Sequence, residues 1–126
     1  MTIGVTFDAG GLIAIDRGDR RVLVLLAHAT ELGARMTVPA SALAQAIRRP
    51  ERQARLARMV RQPGTAVVPL DRVDATSVGR LLATSGTSDI ADAHVVICAR
   101  RAAQQVVTSD PDDLHRLDPQ LDVVVV

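Results

Sequence analysis

Five short runs rich in valine, isoleucine and threonine recur along this chain, and every gap between them carries apolar residues at helical spacing. The runs fall at residues 3–7, 36–38, 66–70, 105–108 and 122–126. Strands separated by helices cannot pair through tight hairpins, so they pair through crossovers. The pattern therefore predicts an α/β sandwich around a largely parallel sheet. The intervening helices are expected at 9–15, 20–32, 41–48, 51–61, 71–83, 90–103 and 111–117. Gly33 supplies a stop for the second, Pro39 starts the third and Pro50 breaks it. The segment 85–88, Ser-Gly-Thr-Ser, reads as a loop. A chain of 126 residues, 48% hydrophobic, is expected to form one domain over 1–126 with ample apolar side chain for a core.

Parallel strands end on one edge of their sheet, and the crossover helices begin at that same edge. Asp8 follows the first run and Asp110 follows the fourth, so both fall there. Asp89 and Asp92 head the helix that leads into the fourth run, which puts them there as well. Each of these aspartates is also a good helix N-cap or first-turn residue, and Asp110-Pro111 is a strong cap signal. Together they have a second meaning. Carboxylates crowded a few ångströms apart repel, and one must take up a proton unless a cation enters. Mg²⁺ or Mn²⁺ suits such a set, being a hard ion that takes oxygen ligands and keeps several waters. The chemistry this implies is phosphodiester hydrolysis.

Three segments carry a resemblance. They are Thr6-Phe7-Asp8-Ala9, the stretch Asp92-Ala93-His94-Val95-Val96-Ile97-Cys98-Ala99, and Val107-Thr108-Ser109-Asp110-Pro111-Asp112-Asp113-Leu114. In order and spacing they resemble the PIN-domain nucleases, and the small size is most similar to the VapC toxins of bacterial toxin–antitoxin pairs. The resemblance implies a three-layer α/β/α sandwich with a mainly parallel central sheet. It implies an Mg²⁺- or Mn²⁺-dependent endoribonuclease, a homodimer, and a small antitoxin that inserts near the active site. By position, Asp8, Asp92 and Asp110 match the family's metal ligands. The family's second acid sits in the helix after the second strand, where this chain has Gln45. An amide coordinates through its carbonyl oxygen but brings no charge and cannot act as a base. Asp89, one turn before Asp92, is placed to supply the missing charge. The other reading is a PIN fold weakened in catalysis that acts by binding an antitoxin or RNA.

Composition excludes several other classes. All fifteen basic residues are arginine, so there is no lysine for a phosphate-binding loop or beside a phosphoacceptor aspartate. Phe7 is the sole aromatic residue, which leaves no stacking platform for bases. His28, His94 and His115 lack zinc-ligand spacing and read as surface or partly buried side chains, while Cys98 reads as core. Ser41 and Ser109 lack a histidine partner, although Thr108 or Ser109 can bond a metal's water shell or a phosphate. Gly10-Gly11 is not a dinucleotide fingerprint. The run Arg48, Arg49, Arg52, Arg55, Arg58, Arg61 spirals around a helix, and it reads equally as a solvated face or as a contact for RNA, antitoxin or dimer mate. With no basic leader, no membrane-length apolar stretch and a single cysteine, a cytoplasmic protein with no membrane partner is expected.

Overall fold

The structure is a computed structural model and describes residues 4–126. The first predicted run begins at Ile3, which lies outside the described residues. Five parallel strands form one sheet in the order β3-β2-β1-β4-β5, with β1 at Gly4–Phe7, β2 at Arg35–Pro39, β3 at Thr65–Val68, β4 at Gln105–Thr108 and β5 at Val123–Val125. The sheet is thus all parallel where the sequence predicted a largely parallel one. The helices are α1 (Ala9–Asp16), α2 (Arg20–Glu31), α3 (Ala40–Ala46), α4 (Ala54–Val60), α5 (Arg72–Ser85), α6 (Ile90–Ala102) and α7 (Pro111–Leu117).

Strand order dictates the layers. From β1 the chain steps to β2 and then β3 in one direction, and from β3 it crosses back to β4 and on to β5 in the other. Right-handed crossovers then place α1 to α4 on one face and α5 to α7 on the opposite one. In the packing α1 lies against α2, α3 and α4, and α6 against α5 and α7, while α3 also packs against α6. The connections diverge at the carboxyl ends of β1 and β4, the switch point where open parallel sheets hold their ligands.

Both sheet faces are covered, which is why the central strands are apolar on successive residues instead of alternating. Phe7, Val38, Val106 and Val107 are fully buried with Leu12 and Ile15 of α1 and Val95 and Val96 of α6. Within this core the buried Thr6 hydroxyl donates to Gln104 Oε1 at 2.8 Å.

Element ends differ from the sequence expectation where side chains or prolines intervene. Pro39 is the last residue of β2, paired with Val68, and caps α3 with extended φ/ψ instead of opening the helix. Helix α3 stops at Ala46 and does not reach Arg48, because the buried Gln53 amide takes over the backbone groups there. Gln53 Oε1 accepts from the N–H groups of Arg48 and Arg49 at 2.9 and 3.0 Å, and its Nε2 donates to the Ala46 carbonyl at 2.9 Å. Pro50 keeps Arg49 out of helical φ/ψ, and Pro50–Arg52 forms a 3₁₀ turn, so α4 begins only at Ala54. Strand β3 ends at Val68 because Pro69 has no N–H for the ladder. Helix α5 runs through Ser85 to a left-handed Gly86, φ 71°, two residues past the predicted end.

Candidate functional site

Asp8 closes β1 and caps α1. Its Oδ1 accepts from the Gly11 N–H at 2.7 Å, and its Oδ2 accepts from the Thr108 hydroxyl at 2.5 Å. The Thr108 oxygen in turn accepts from the Asp110 N–H at 2.9 Å. One hydroxyl at the end of β4 therefore ties the residue after β1 to the residue after β4. The approach is close because Gly10 and Gly11 carry no side chain. A Cβ on Gly11 would fall 2.4 Å from the Val107 carbonyl oxygen, and one on Gly10 would fall 2.1 Å from Ser109 Oγ.

Asp89 caps α6 through a 2.9 Å bond from the Asp92 N–H, as its position predicted. Asp110 differs. It occupies the N-cap position of α7 without a side-chain cap bond, and its exposed carboxyl faces Asp113 instead. Capping and clustering are thus compatible for Asp8 and Asp89, and Asp110 is committed to the cluster alone.

These acids act on one another electrostatically. Burial raises the Asp92 carboxyl to about 7, and Asp89, Asp8, Asp113 and Asp110 push in the same direction. Burial likewise raises Asp8 against the lowering bonds from Thr108 and Gly11, with Asp110 adding to the rise. Asp113 is raised chiefly by the neighbouring Asp110 carboxyl, with Arg116 opposing. The N-termini of α1 and α6 point at the cluster and offset part of this negative charge.

Asp113 is the acid that reading the sequence missed. Its signal was the three-residue step from Asp110 within one first helical turn, which places both on one face. Thr108 was noticed only as a partner for water or phosphate, whereas it braces Asp8 and Asp110. Gln45 lies in the last turn of α3 and is exposed, and no described hydrogen bond ties it to the acids. Helix α3 does pack against α6, the helix that carries Asp92.

A second polar group lies between α5 and α6. His94, expected at the surface or partly buried, is fully buried, because it faces α5 from the most enclosed helix of the fold. Its Nε2 is 2.8 Å from Asp74 Oδ2, and Arg101 grips both Asp74 oxygens at 2.7 and 3.0 Å. With Cys98 these side chains form the one described His/Cys/Asp group close enough to hold a metal. Two facts argue for a structural tie instead. The Arg101 guanidinium already supplies the cation there, holding Asp74 down to about 2, and burial pushes the Cys98 thiol up to about 11, so that it stays protonated. Spacing at i, i+4 and i+7 along α6 was the available clue.

Known proteins place the fold and the family. The profile of the PIN domain matches residues 7–119. No curated protein matches the chain. Among solved structures, VapBC2 from Rickettsia felis, bound to a DNA fragment from its promoter, is similar with a TM-score of 0.67 at 12% identity, covering 98% of each chain. FitAcB from Neisseria gonorrhoeae is similar with a TM-score of 0.62 at 18% identity, over 94% of this chain and 95% of that one. FitAB bound to the IR36 DNA fragment gives 0.64 at 14% identity, over 96% and 94%. At such identities the structures speak for the fold, and the profile, which spans from Phe7 beside the first acid to beyond the last, speaks for the family: the chain belongs to the PIN domain family.

Proposed function

We propose that this chain is a divalent-metal-dependent endoribonuclease and the toxin of a toxin–antitoxin pair, with Asp8, Asp92 and Asp110 holding the metal. The observation that carries the reading is the convergence of Asp8, Asp89, Asp92, Asp110 and Asp113 at one switch point, with Asp92 raised by burial and by four other carboxylates. Such charge is costly unless a cation enters.

The donor set fits Mg²⁺ or Mn²⁺. All donors are oxygen, and among the described residues no three of these acids bring oxygens within 4.8 Å of one another. An ion bound there would complete its shell with water, as Mg²⁺ does. When bound, such an ion supplies polarisation of a phosphoryl oxygen and makes water acidic enough to attack at neutral pH. The chain's own part is positional. Gly11 and Thr108 fix Asp8, and Thr108 fixes the backbone of Asp110. Asp113 stands beside Asp110, whose carboxyl raises it. Asp89 and Asp113 supply negative charge where Gln45 brings none.

An antitoxin has a surface suited to it. Leu43, Ile47, Leu56, Ala57 and Val60 line an open apolar groove of about 260 Å³ between α3 and α4, fit for an apolar segment of a partner. No helix among the described residues is long and apolar enough to cross a membrane.

The test is cleavage of a structured RNA with Mn²⁺ by the wild type, Asp8→Asn and Gln45→Glu. Cleavage by the wild type and its loss in Asp8→Asn is the expected result. A silent wild type with activity gained in Gln45→Glu identifies a PIN fold weakened by that amide, which acts by binding, and overturns the enzyme.

A further inference from the structure

The arginine run that reads from sequence as one spiral stripe is divided by the fold. Arg55 and Arg58 line a hollow against α2, and Arg61 borders the apolar groove. Arg48, Arg49 and Arg52 instead join Arg17, at the end of α1, around a hollow of about 240 Å³. All four side chains are exposed, and the described arginine ion pairs engage Arg21, Arg100, Arg101 and Arg116 instead. Asp16 lines the same hollow, so four cations face one carboxylate there. The backbone that presents Arg48 and Arg49 is not free to wander, because the buried Gln53 amide holds both their N–H groups.

This hollow adjoins one that reaches the neighbours of the acids. That second hollow, of about 500 Å³, is lined by Gly10 and Ser109, neighbours of Asp8 and Asp110, by Arg17 at the far end of α1, and by Asp19 and Val126, so Arg17 there faces the Asp19 carboxylate. Ile13 and Arg17 line both hollows. Helix α1 rises about 12 Å over its length, so the path leads from beside the acids, where a scissile phosphate would sit, to a cluster of exposed guanidiniums. We propose that it is a track for single-stranded RNA, with Arg17, Arg48, Arg49 and Arg52 holding phosphates that flank the cleaved bond. The proposal rests on the nuclease reading above. A peptide partner has the adjoining apolar groove, whereas guanidinium forks suit phosphate oxygens. The chain's sole aromatic, Phe7, is fully buried. The track therefore grips the backbone without stacking on bases, and binding is strongly salt-dependent and weakly sequence-dependent.

The experiment uses Asp92→Asn protein without metal and a fluorescein-labelled single-stranded RNA of mixed sequence, read by anisotropy between about 50 and 200 mM KCl. In that background Arg48→Gln with Arg49→Gln weakens binding about tenfold at the lowest salt and flattens the log–log salt slope by about 1.4, at ~0.7 per phosphate contact. Arg17→Gln flattens it by about 0.7, and Arg80→Gln, on α5 of the opposite layer, changes neither. Melting curves matching the parent's show that the variants are folded. If the Arg48/Arg49 and Arg17 variants bind like Arg80→Gln while wild-type protein still cleaves RNA with Mn²⁺, the track is overturned and the nuclease stands. Absence of both RNA binding and cleavage overturns both. Unchanged RNA affinity with weakened capture of an acidic peptide assigns the arginines to a protein partner and also overturns the track.

Discussion

At the residue scale the site turns on hydroxyl and carboxyl contacts that a sequence shows only as residue types. Thr108 is a strand residue by pattern, yet its oxygen donates to Asp8 and accepts from Asp110. Thr108→Val keeps the shape and removes both bonds, so Asp8 loses a donor that lowers its pKa and the Asp110 N–H loses its acceptor. Bonds to charged groups contribute about 1.5–3 kcal/mol, so cleavage by the variant is expected to fall on the order of tenfold to a hundredfold. Steady-state rates at saturating RNA check this, and an unchanged rate removes Thr108 from the site. Asp8, Asp89, Asp92 and Asp110 were legible because each stands at a strand end or helix start, whatever else it does. Asp113 was not, because its place depends on which way the first turn of α7 faces.

At the element scale, glycine spacing and proline breaks decide what meets what. Gly10-Gly11 follows the first acid without any nucleotide-binding pattern, and its meaning appears only once α1 lies against β4. Gly11→Ala would set a Cβ 2.4 Å from a backbone oxygen. Overpacking of that kind costs about 1–3 kcal/mol, and here it also pushes Asp8 away from Thr108. Urea denaturation is expected to show the loss, together with a weaker response to Mn²⁺; wild-type stability in Gly11→Ala contradicts the close approach. The α5–α6 tie behaves differently. Asp74→Ala leaves buried His94 and half-exposed Arg101 without their partner, at a cost of about 3–5 kcal/mol, while cleavage per folded molecule stays near wild type. A metal-dependent change in stability lost with Asp74 would instead mark that group as a metal site. Helical periodicity located every helix, but it could not foresee that Gln53 ends α3 early and splits the arginine run, since a buried amide bonding backbone is invisible to periodicity.

At the scale of the whole molecule, strand order was not legible. The alternation of strands and helices gave the parallel class, yet it is the order β3-β2-β1-β4-β5 that brings the ends of β1 and β4 side by side. That placement has a cost that varies with pH. The folded chain holds the Asp92 proton up to about 7, while an unfolded carboxyl releases it near 3.8. Between those values the folded state binds more protons, so its stability falls as pH rises through this window. Asp74, lowered to about 2, contributes in the opposite sense, but its contribution is already complete above its unfolded value and is lost only as pH falls below it. Without metal, the melting temperature is therefore expected to decline between about pH 4 and pH 7. Asp92→Asn should flatten that decline and raise the melting temperature at neutral pH by about 3 °C or more. A wild-type profile that rises over the same range, or a variant with the same slope, contradicts the charge-crowded pocket.

The most direct measurement is calorimetric titration of Mn²⁺ into metal-free wild type and Asp92→Asn at neutral pH, in two buffers of different ionisation enthalpy. Binding to the wild type accompanied by proton release, with both lost or sharply reduced in Asp92→Asn, is the result expected of a carboxylate pocket that exchanges its proton for a cation. Equal binding by the two proteins, or no binding by the wild type, would contradict it.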